Sequence, residues 1–422
     1  MKKHYLIYQV LTALLVIALT VPIGVHQRQA GSSIWLTLNV FFALFVMGWP
    51  ALIIHELGHA LAARAAGLKA VAMTIGIGRP LLNFRVDGTR FAICIRRGMG
   101  RTLVATPPAL PHAVARVLLM IAAGPLANLG CFLTVGWLFS LPGWGFASPR
   151  WMSGLVVIEA FQWVSLYMAI ISLIPIRLSS PIGITYSDGY HILSGLRKPQ
   201  RMLQRLAEVY HVSTSYESFR TGNTEEAERQ CEQGLAEYPD SFLLKQYRAV
   251  ISIQMGHFAD ARERLLKLVG SDGEREFFAA SIIKNNIAYA DAMLGDPALF
   301  DEADRCSREA LDDAPKMIAF QGTRGAVLLQ LGQLEAGRRL LLRAYKQHSE
   351  PMARSSSAAW IAISYARDRD LAEGRRWLEI ARRECSTGPE ITLAARELGE
   401  CNSRDSLTTG TRILRADSPR PA

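Results

Sequence analysis

The sequence predicts an all-α membrane helix bundle of about four spans with a small β-hairpin insertion, followed by an α-solenoid-like helical repeat domain. Three observations lead there. Long stretches before Arg177 carry almost no Asp, Glu, Lys or Arg, whereas the remainder is dense in all of them, so the two parts are built for different solvents. An Asp-Gly pair stands between alternating residues in the basic stretch that separates the second and third apolar runs. After about Arg197, turn glycines followed by small residues recur at similar intervals. The 422 residues divide into a multi-span domain over 1–192, a linker over 193–212, the repeat domain over 213–400 and a polar, disordered tail over 401–422.

The spans come first. No ionisable Asp, Glu, Lys or Arg lies between Lys3 and Arg28, between Arg28 and Glu56, or between Arg116 and Arg150, and each run holds a helix of ~20 residues. Beyond Arg150 only Glu159 interrupts the run to Arg177, which gives a fourth span from about Met152 to Ile176; Glu159 there bonds within the bundle. The first run, Tyr5 to Val25, is long for a signal peptide and ends without an A-x-A cleavage pattern, so it is read as a retained helix. Lys2 and Lys3 precede the first span, and Arg64, Lys69, Arg79, Arg85, Arg90 and further arginines lie between the second and third. The positive-inside rule places both regions in the cytoplasm. An even number of spans returns the chain to that side, which makes this a multi-pass cell-membrane protein with its N-terminus and its C-terminal domain cytoplasmic. The net charge of +10 is accounted for by this topology and requires no nucleic-acid partner. Six scattered cysteines with no C-x-x-C pair suit a reducing compartment and structural roles.

The second run ends in Pro50-Ala51-Leu52-Ile53-Ile54-His55-Glu56-Leu57-Gly58-His59-Ala60. Residues four apart share a helix face, so His55 and His59 can bind one zinc ion together. Glu56 stands beside them as a general base for a water molecule whose pKa the ion lowers. Three ionisable groups within five residues at the end of an apolar run are expensive in lipid and mark a site. A catalytic zinc needs a third protein ligand. Of the other histidines only His191 lies near the membrane end of a later span, and Asp188 stands beside it in Ser187-Asp188-Gly189-Tyr190-His191. Chemistry alone leaves both open.

These motifs, taken in order, resemble the site-2 protease family of intramembrane zinc metalloproteases. The likeness covers about the first 192 residues. His55-Glu56-Leu57-Gly58-His59 resembles the active-site helix, Gly76-Ile77-Gly78-Arg79-Pro80 the following G-x-G-x-P turn, and Gly124-Pro125-Leu126-Ala127-Asn128 the G-P-x-x-N segment. Ser172-Leu173-Ile174-Pro175 and Asp188-Gly189 stand where the N-x-x-P and D-G elements are expected. The resemblance implies Zn2+ held by His55, His59 and Asp188, with Glu56 catalytic, Asn128 shaping the site or steadying the reacting carbonyl, and His191 merely polar. Ser172 replaces the usual asparagine, and the loop before Asp188 is longer than in many members. The implied substrate is a membrane-spanning protein.

In Phe84-Arg85-Val86-Asp87-Gly88-Thr89-Arg90-Phe91, Asp-Gly between alternating residues signals a hairpin, whose edge can pair with an unwound substrate segment. Further on, Ala227, Ala261, Ala303, Gly337 and Gly374 follow successive turns at spacings of 34, 42, 34 and 37 residues. Gly222-Asn223-Thr224-Glu225-Glu226-Ala227, Gly256-His257-Phe258-Ala259-Asp260-Ala261 and Gly332-Gln333-Leu334-Glu335-Ala336-Gly337 resemble tetratricopeptide turns, and Pro239 and Pro315 follow as repeat-ending prolines. This is a degenerate array of about four or five units, with an insertion near Asp296 to Phe300. Such arrays bind a protein partner on a concave face. The expected function is therefore a zinc-dependent intramembrane endopeptidase whose cytoplasmic repeat recruits a partner or substrate. The rival is a catalytically idle, membrane-anchored scaffold for the repeat, against which the complete ligand set argues.

Overall fold

The computed structural model describes residues 34–107, 110–140, 152–180, 183–220, 223–271, 279–348 and 350–400. The expected first span from Tyr5 to Val25, Gly222, the side chain of Glu159 and the tail over 401–422 lie outside the described residues. The chain divides into two compact units, Met1–Pro239 and Asp240–Ala422.

In the first unit, helix α1 (Ile34–Ala65) runs through Pro50. It ends where Gly67 turns left-handed at φ 73°, while its N–H and that of Leu68 bond back to Arg64 and Ala63. Strands β1 (Lys69–Val86) and β2 (Thr89–Ala105) follow. The turn between them, Asp87-Gly88, has positive φ at both residues, as the right-handed twist of a two-residue hairpin demands. The pairing extends well beyond a small hairpin. Leu82–Val86 faces Thr89–Ile93 across the turn, and Lys69–Ile75 faces Gly100–Ala105 at the far end. Ala72–Ile75 also lies against Arg90–Ile93, so the two bent strands double back into a layered ribbon. Gly76 and Pro80 of the G-x-G-x-P segment fall within β1, where the register is irregular, instead of forming a separate turn.

Helices α2 (Ala113–Ser140) and α3 (Met152–Leu173) pack on α1 and on each other. Gly58 makes the close approach: a Cβ there would lie 2.7 Å from the Ala123 carbonyl oxygen and 2.9 Å from Ala127 Cβ. Small residues bring membrane helices together in this way. Leu119, Leu126, Leu133 and Trp137 of α2 are exposed, an apolar stripe at helical spacing. Among the described residues, one stretch, Ala113–Leu138, is long and apolar enough to cross a membrane, and Ala160–Leu173 is a shorter apolar helix. The count of four spans rests on the sequence.

The extra length before Asp188 is a second small hairpin, β3 (Arg177–Ser180) with β4 (Gly183–Tyr186). It leads into α4 (Asp188–Arg197), then α5 (Pro199–Arg220) and α6 (Thr224–Glu237). The stretch 193–212, expected as a linker, forms the end of α4 and much of α5. Helix α5 is tied to the ribbon by Thr106 N–H donating to the Leu206 carbonyl and by an Arg85–Glu217 ion pair at 2.6 Å.

The second unit consists of helix pairs: α7 (Phe242–Gln254) with α8 (Phe258–Leu266), and α9 (Ala279–Leu294) with α10 (Phe300–Asp313). Helices α11 (Ile318–Gln330) with α12 (Leu334–Gln347) and α13 (Pro351–Arg367) with α14 (Leu371–Glu384) follow, and α15 (Pro389–Glu397) packs on α13 and α14. Turn glycines Gly256, Gly295 and Gly332 all have positive φ. The aligned small residues are where the paired helices touch, since a Cβ on Gly337 would lie 2.7 Å from the Gly325 carbonyl oxygen. From Gly295 to Ala303 the turn is longer than in its neighbours, and the inserted residues form the 3-10 turn Pro297–Leu299. The core centres on buried Trp360 with Leu329, Leu341, Ile361, Ile363 and Leu378. The first helices of separate pairs also meet, since Tyr289 of α9 bonds Ser356 of α13 at 3.2 Å and donates to Glu390 of α15.

Candidate metal centre

The helical spacing of His55 and His59 puts both imidazoles on the face of α1 that meets α2, and both are buried. Their Nε2 atoms are 3.2 Å apart. Asp188, the first residue of α4, closes the group: Oδ2 lies 3.0 Å from His55 Nε2 and Oδ1 3.4 Å from His59 Nε2. One ligand atom from each of the three residues falls within 4.8 Å of the others. Ligand atoms about 2.0–2.2 Å from a tetrahedral zinc are about 3.3–3.6 Å apart. The three residues therefore fit a zinc ion with little movement, and they leave the fourth position open. Burial alone would raise the Asp188 carboxyl, but hydrogen bonds from His55 and His59 outweigh it and hold the group well below the usual carboxylate range. It stands as an anion, which a cation site needs.

The outer ring nitrogens are also partnered. His59 Nδ1 is 3.0 Å from the Met120 carbonyl oxygen, which can only accept, so Nδ1 carries a proton and Nε2 is the ring nitrogen that a metal would take. Asn128 is fully buried with its Nδ2 3.1 Å from His55 Nδ1, while its Oδ1 has no partner among the described residues. In that orientation Nδ2 donates to His55 Nδ1 and Nε2–H donates to Asp188; with the amide turned, its oxygen would accept from an Nδ1–H and leave Nε2 free for a metal. Asn128 thus acts on the ring of His55, a supporting arrangement common around metal-bound histidines.

Glu56 is buried beside the histidines, and Thr102 of β2 donates to its Oε2 at 2.6 Å. Backbone glycines make room for the cluster. A Cβ on Gly124 would overlap the His59 ring, one on Gly100 would overlap the Glu56 carboxylate, and one on Gly189 would overlap the Leu173 carbonyl. Ser187 caps α4: its Oγ accepts from Tyr190 N–H at 3.2 Å and from Ile176 N–H at 2.9 Å, and donates to the Ile174 carbonyl at 2.6 Å. That one hydroxyl stitches the end of α3 to the start of α4 and so places Asp188.

The structure brings His55, Glu56, His59, Asn128 and Asp188 together. His191 is exposed and meets Tyr186 and Tyr190 edge-on, with ring centroids 5.7 and 6.2 Å away. Ser172 bonds back to the Ala169 carbonyl within its own helix. Thr102 and Ser187 were missed by sequence reasoning. A serine before the first residue of a helix is a legible N-cap signal, whereas nothing local distinguishes Thr102 from any other strand threonine.

Residues 40–222 match the model of a family described as peptidase family M50. No curated protein matches the chain. Among solved structures, a thermophilic TPR protein of Thermus thermophilus is 18% identical, with 46% of this chain and 99% of that chain covered and a TM-score of 0.36. The pilF protein of Pseudomonas aeruginosa is 17% identical, with 47% and 85% covered and a TM-score of 0.31.

Proposed function

Because residues 40–222 match the model of peptidase family M50, we propose that the chain is a zinc-dependent intramembrane endopeptidase that cuts a membrane-spanning segment of another protein. The observation that carries this reading is the convergence of His55, His59 and Asp188 from two distant helices with Glu56 alongside. His55 and His59 would hold the ion through Nε2, and Asp188 through its carboxylate. When bound, zinc supplies Lewis acidity, which lowers the pKa of water and polarises the scissile carbonyl. Glu56 takes a proton from the attacking water as the new C–O bond forms, and returns it to the amide nitrogen as the C–N bond breaks. Asn128 orients the His55 ring throughout.

A substrate helix has its amides and carbonyls bonded internally, so the scissile segment has to unwind before the buried site can reach it. The ribbon of β1 and β2 beside Glu56 offers backbone with which an extended segment can pair. The exposed apolar stripe of α2 and the charge distribution of the sequence support a multi-pass membrane protein of about four spans with both termini cytoplasmic. The helix pairs of the second unit then lie in the cytoplasm, where they recruit a protein partner or the substrate.

The test is cleavage of single-span reporter proteins by the purified full chain in detergent, comparing wild type, Glu56→Gln and chelated enzyme, with bound zinc assayed in each. Cleavage by wild type and none by a variant that still holds zinc is the expected result. Protein without stoichiometric zinc under metal-replete conditions would refute the three-ligand site and leave a membrane-anchored scaffold as the better reading.

A further inference from the structure

We infer that Thr102 positions the general base: its hydroxyl anchors one oxygen of the Glu56 carboxylate and leaves the other to exchange a proton. The inference deepens the assignment of Glu56 and rests on it. A glutamate side chain has three free torsions, and a base that wanders loses much of the advantage of proximity. In this site Thr102 is the only hydrogen-bond partner of the Glu56 carboxylate among the described residues. Its Oγ1 lies 2.6 Å from Oε2 and 3.3 Å from the Glu56 backbone oxygen. A hydroxyl has one proton, and the shorter, charge-assisted contact takes it.

The strand supplies the complementary half of the arrangement two residues earlier. Gly100 shares the face of β2 that carries Thr102, and a side chain there would collide with Oε1. One oxygen is therefore tethered while the other is kept clear. Both residues are held by pairing with the strand that leaves α1, Thr102 opposite Met73 and Gly100 opposite Ile75. The strand that approaches the active-site helix thus fixes the base in addition to offering backbone to a substrate. The neighbouring Arg101 alternates to the other face and is exposed.

Thr102→Val keeps the β-branched shape and removes the hydroxyl, whereas Thr102→Ser keeps the hydroxyl. With a single-span reporter, Thr102→Val is expected to lose about tenfold to a hundredfold in kcat with KM and bound zinc unchanged, and Thr102→Ser to recover to within a few-fold of wild type. A second readout needs no substrate. The carboxylate stretching band of Glu56, isolated as the infrared difference between wild type and Glu56→Gln, should shift in Thr102→Val and stay in place in Thr102→Ser. An unmoved band, a kcat within twofold of wild type, equal impairment of both variants, or loss of zinc from Thr102→Val would each overturn the inference. If wild type cuts, Glu56→Gln does not and Thr102→Val cuts at the full rate, Thr102 loses its role and Glu56 keeps its own. If Glu56→Gln cuts as fast as wild type, the assignment of the base falls and this inference falls with it.

Discussion

Replacing Ser187 by alanine tests whether the third ligand depends on a hinge that is not itself a ligand. Asp188 is the first residue of α4, and the hydroxyl before it makes three bonds, to Tyr190 N–H, Ile176 N–H and the Ile174 carbonyl. Loss of an N-cap costs about 1 kcal/mol, and each of the other bonds is worth about 1 kcal/mol net. The site is partly open, so water recovers some of this, and we expect the placement of Asp188 to be weakened by about 1–2 kcal/mol. At 1.4 kcal/mol per decade this is about a fivefold to thirtyfold loss of zinc affinity. The assay is competition for zinc against a chromogenic chelator with the full chain in detergent. Ser187→Thr should behave as wild type. Ser187→Asp keeps an acceptor for the cap, cannot donate to Ile174, and sets a second charge beside Asp188, so it should fall between them or below. Zinc held as tightly by Ser187→Ala as by wild type would refute the argument, because Asp188 would then be placed by the packing of Gly189 against Leu173 alone.

Gly124→Ala should abolish zinc binding outright while leaving the membrane fraction of the protein unchanged, since the new methyl overlaps the ring of His59; metal analysis of the purified variant decides it. Gly337→Ala should destabilise the second unit by about 1–3 kcal/mol, because its methyl meets the Gly325 carbonyl and the Leu329 side chain, each at 2.7 Å; a thermal melt reports the loss. Burial pushes the Asp291 carboxyl up from 3.8 to about 6, although Arg262 bonds one of its oxygens at 2.6 Å. The folded state therefore binds that proton more tightly than the unfolded state does. Its contribution to stability is complete below about pH 4 and is lost as the pH rises through about 6, by at most about 3 kcal/mol. Protection of α9 amides, corrected for intrinsic exchange, should fall across that window in wild type and stay level in Asp291→Asn.

What the sequence made legible follows from how local each signal is. Two histidines four apart specify a helix face by themselves, and Asp87-Gly88 specifies a turn because two successive positive φ values suit few residue pairs. The repeat register was readable for the same reason: a glycine must reverse the chain and a small residue must follow where two helices touch. The doubled ribbon was not readable, since Ala72–Ile75 pairs with segments on both arms of β2 and no local pattern encodes a second partner. Residues 193–212 read as a linker because they stand between the last membrane-domain motif and the first repeat; in the structure the helix there contacts the ribbon through Leu206 and, further along, Glu217. Thr102 was invisible because its meaning lies in a glutamate far away in the chain.

Placing ionisable side chains at the end of an apolar helix is costly unless each polar atom finds a partner. On α1 these partners come from different directions. His59 is met by the Met120 carbonyl and His55 by Asn128, both on α2; Glu56 is met by Thr102 on β2, and the two ring nitrogens that remain face Asp188 on α4. A structural role alone would not require so much convergence, since apolar residues on the same face would pack α1 against α2 at less cost. Nor does the arrangement satisfy itself. The Asn128 oxygen has no partner among the described residues, and turning the amide to give it one would take the proton from the His55 Nε2 that faces Asp188. A cation held between His55, His59 and Asp188 would answer both ends of that hydrogen-bonded chain, where a proton on the His55 Nε2 answers one. The unpaired oxygen of Asn128 is what such a cation would account for.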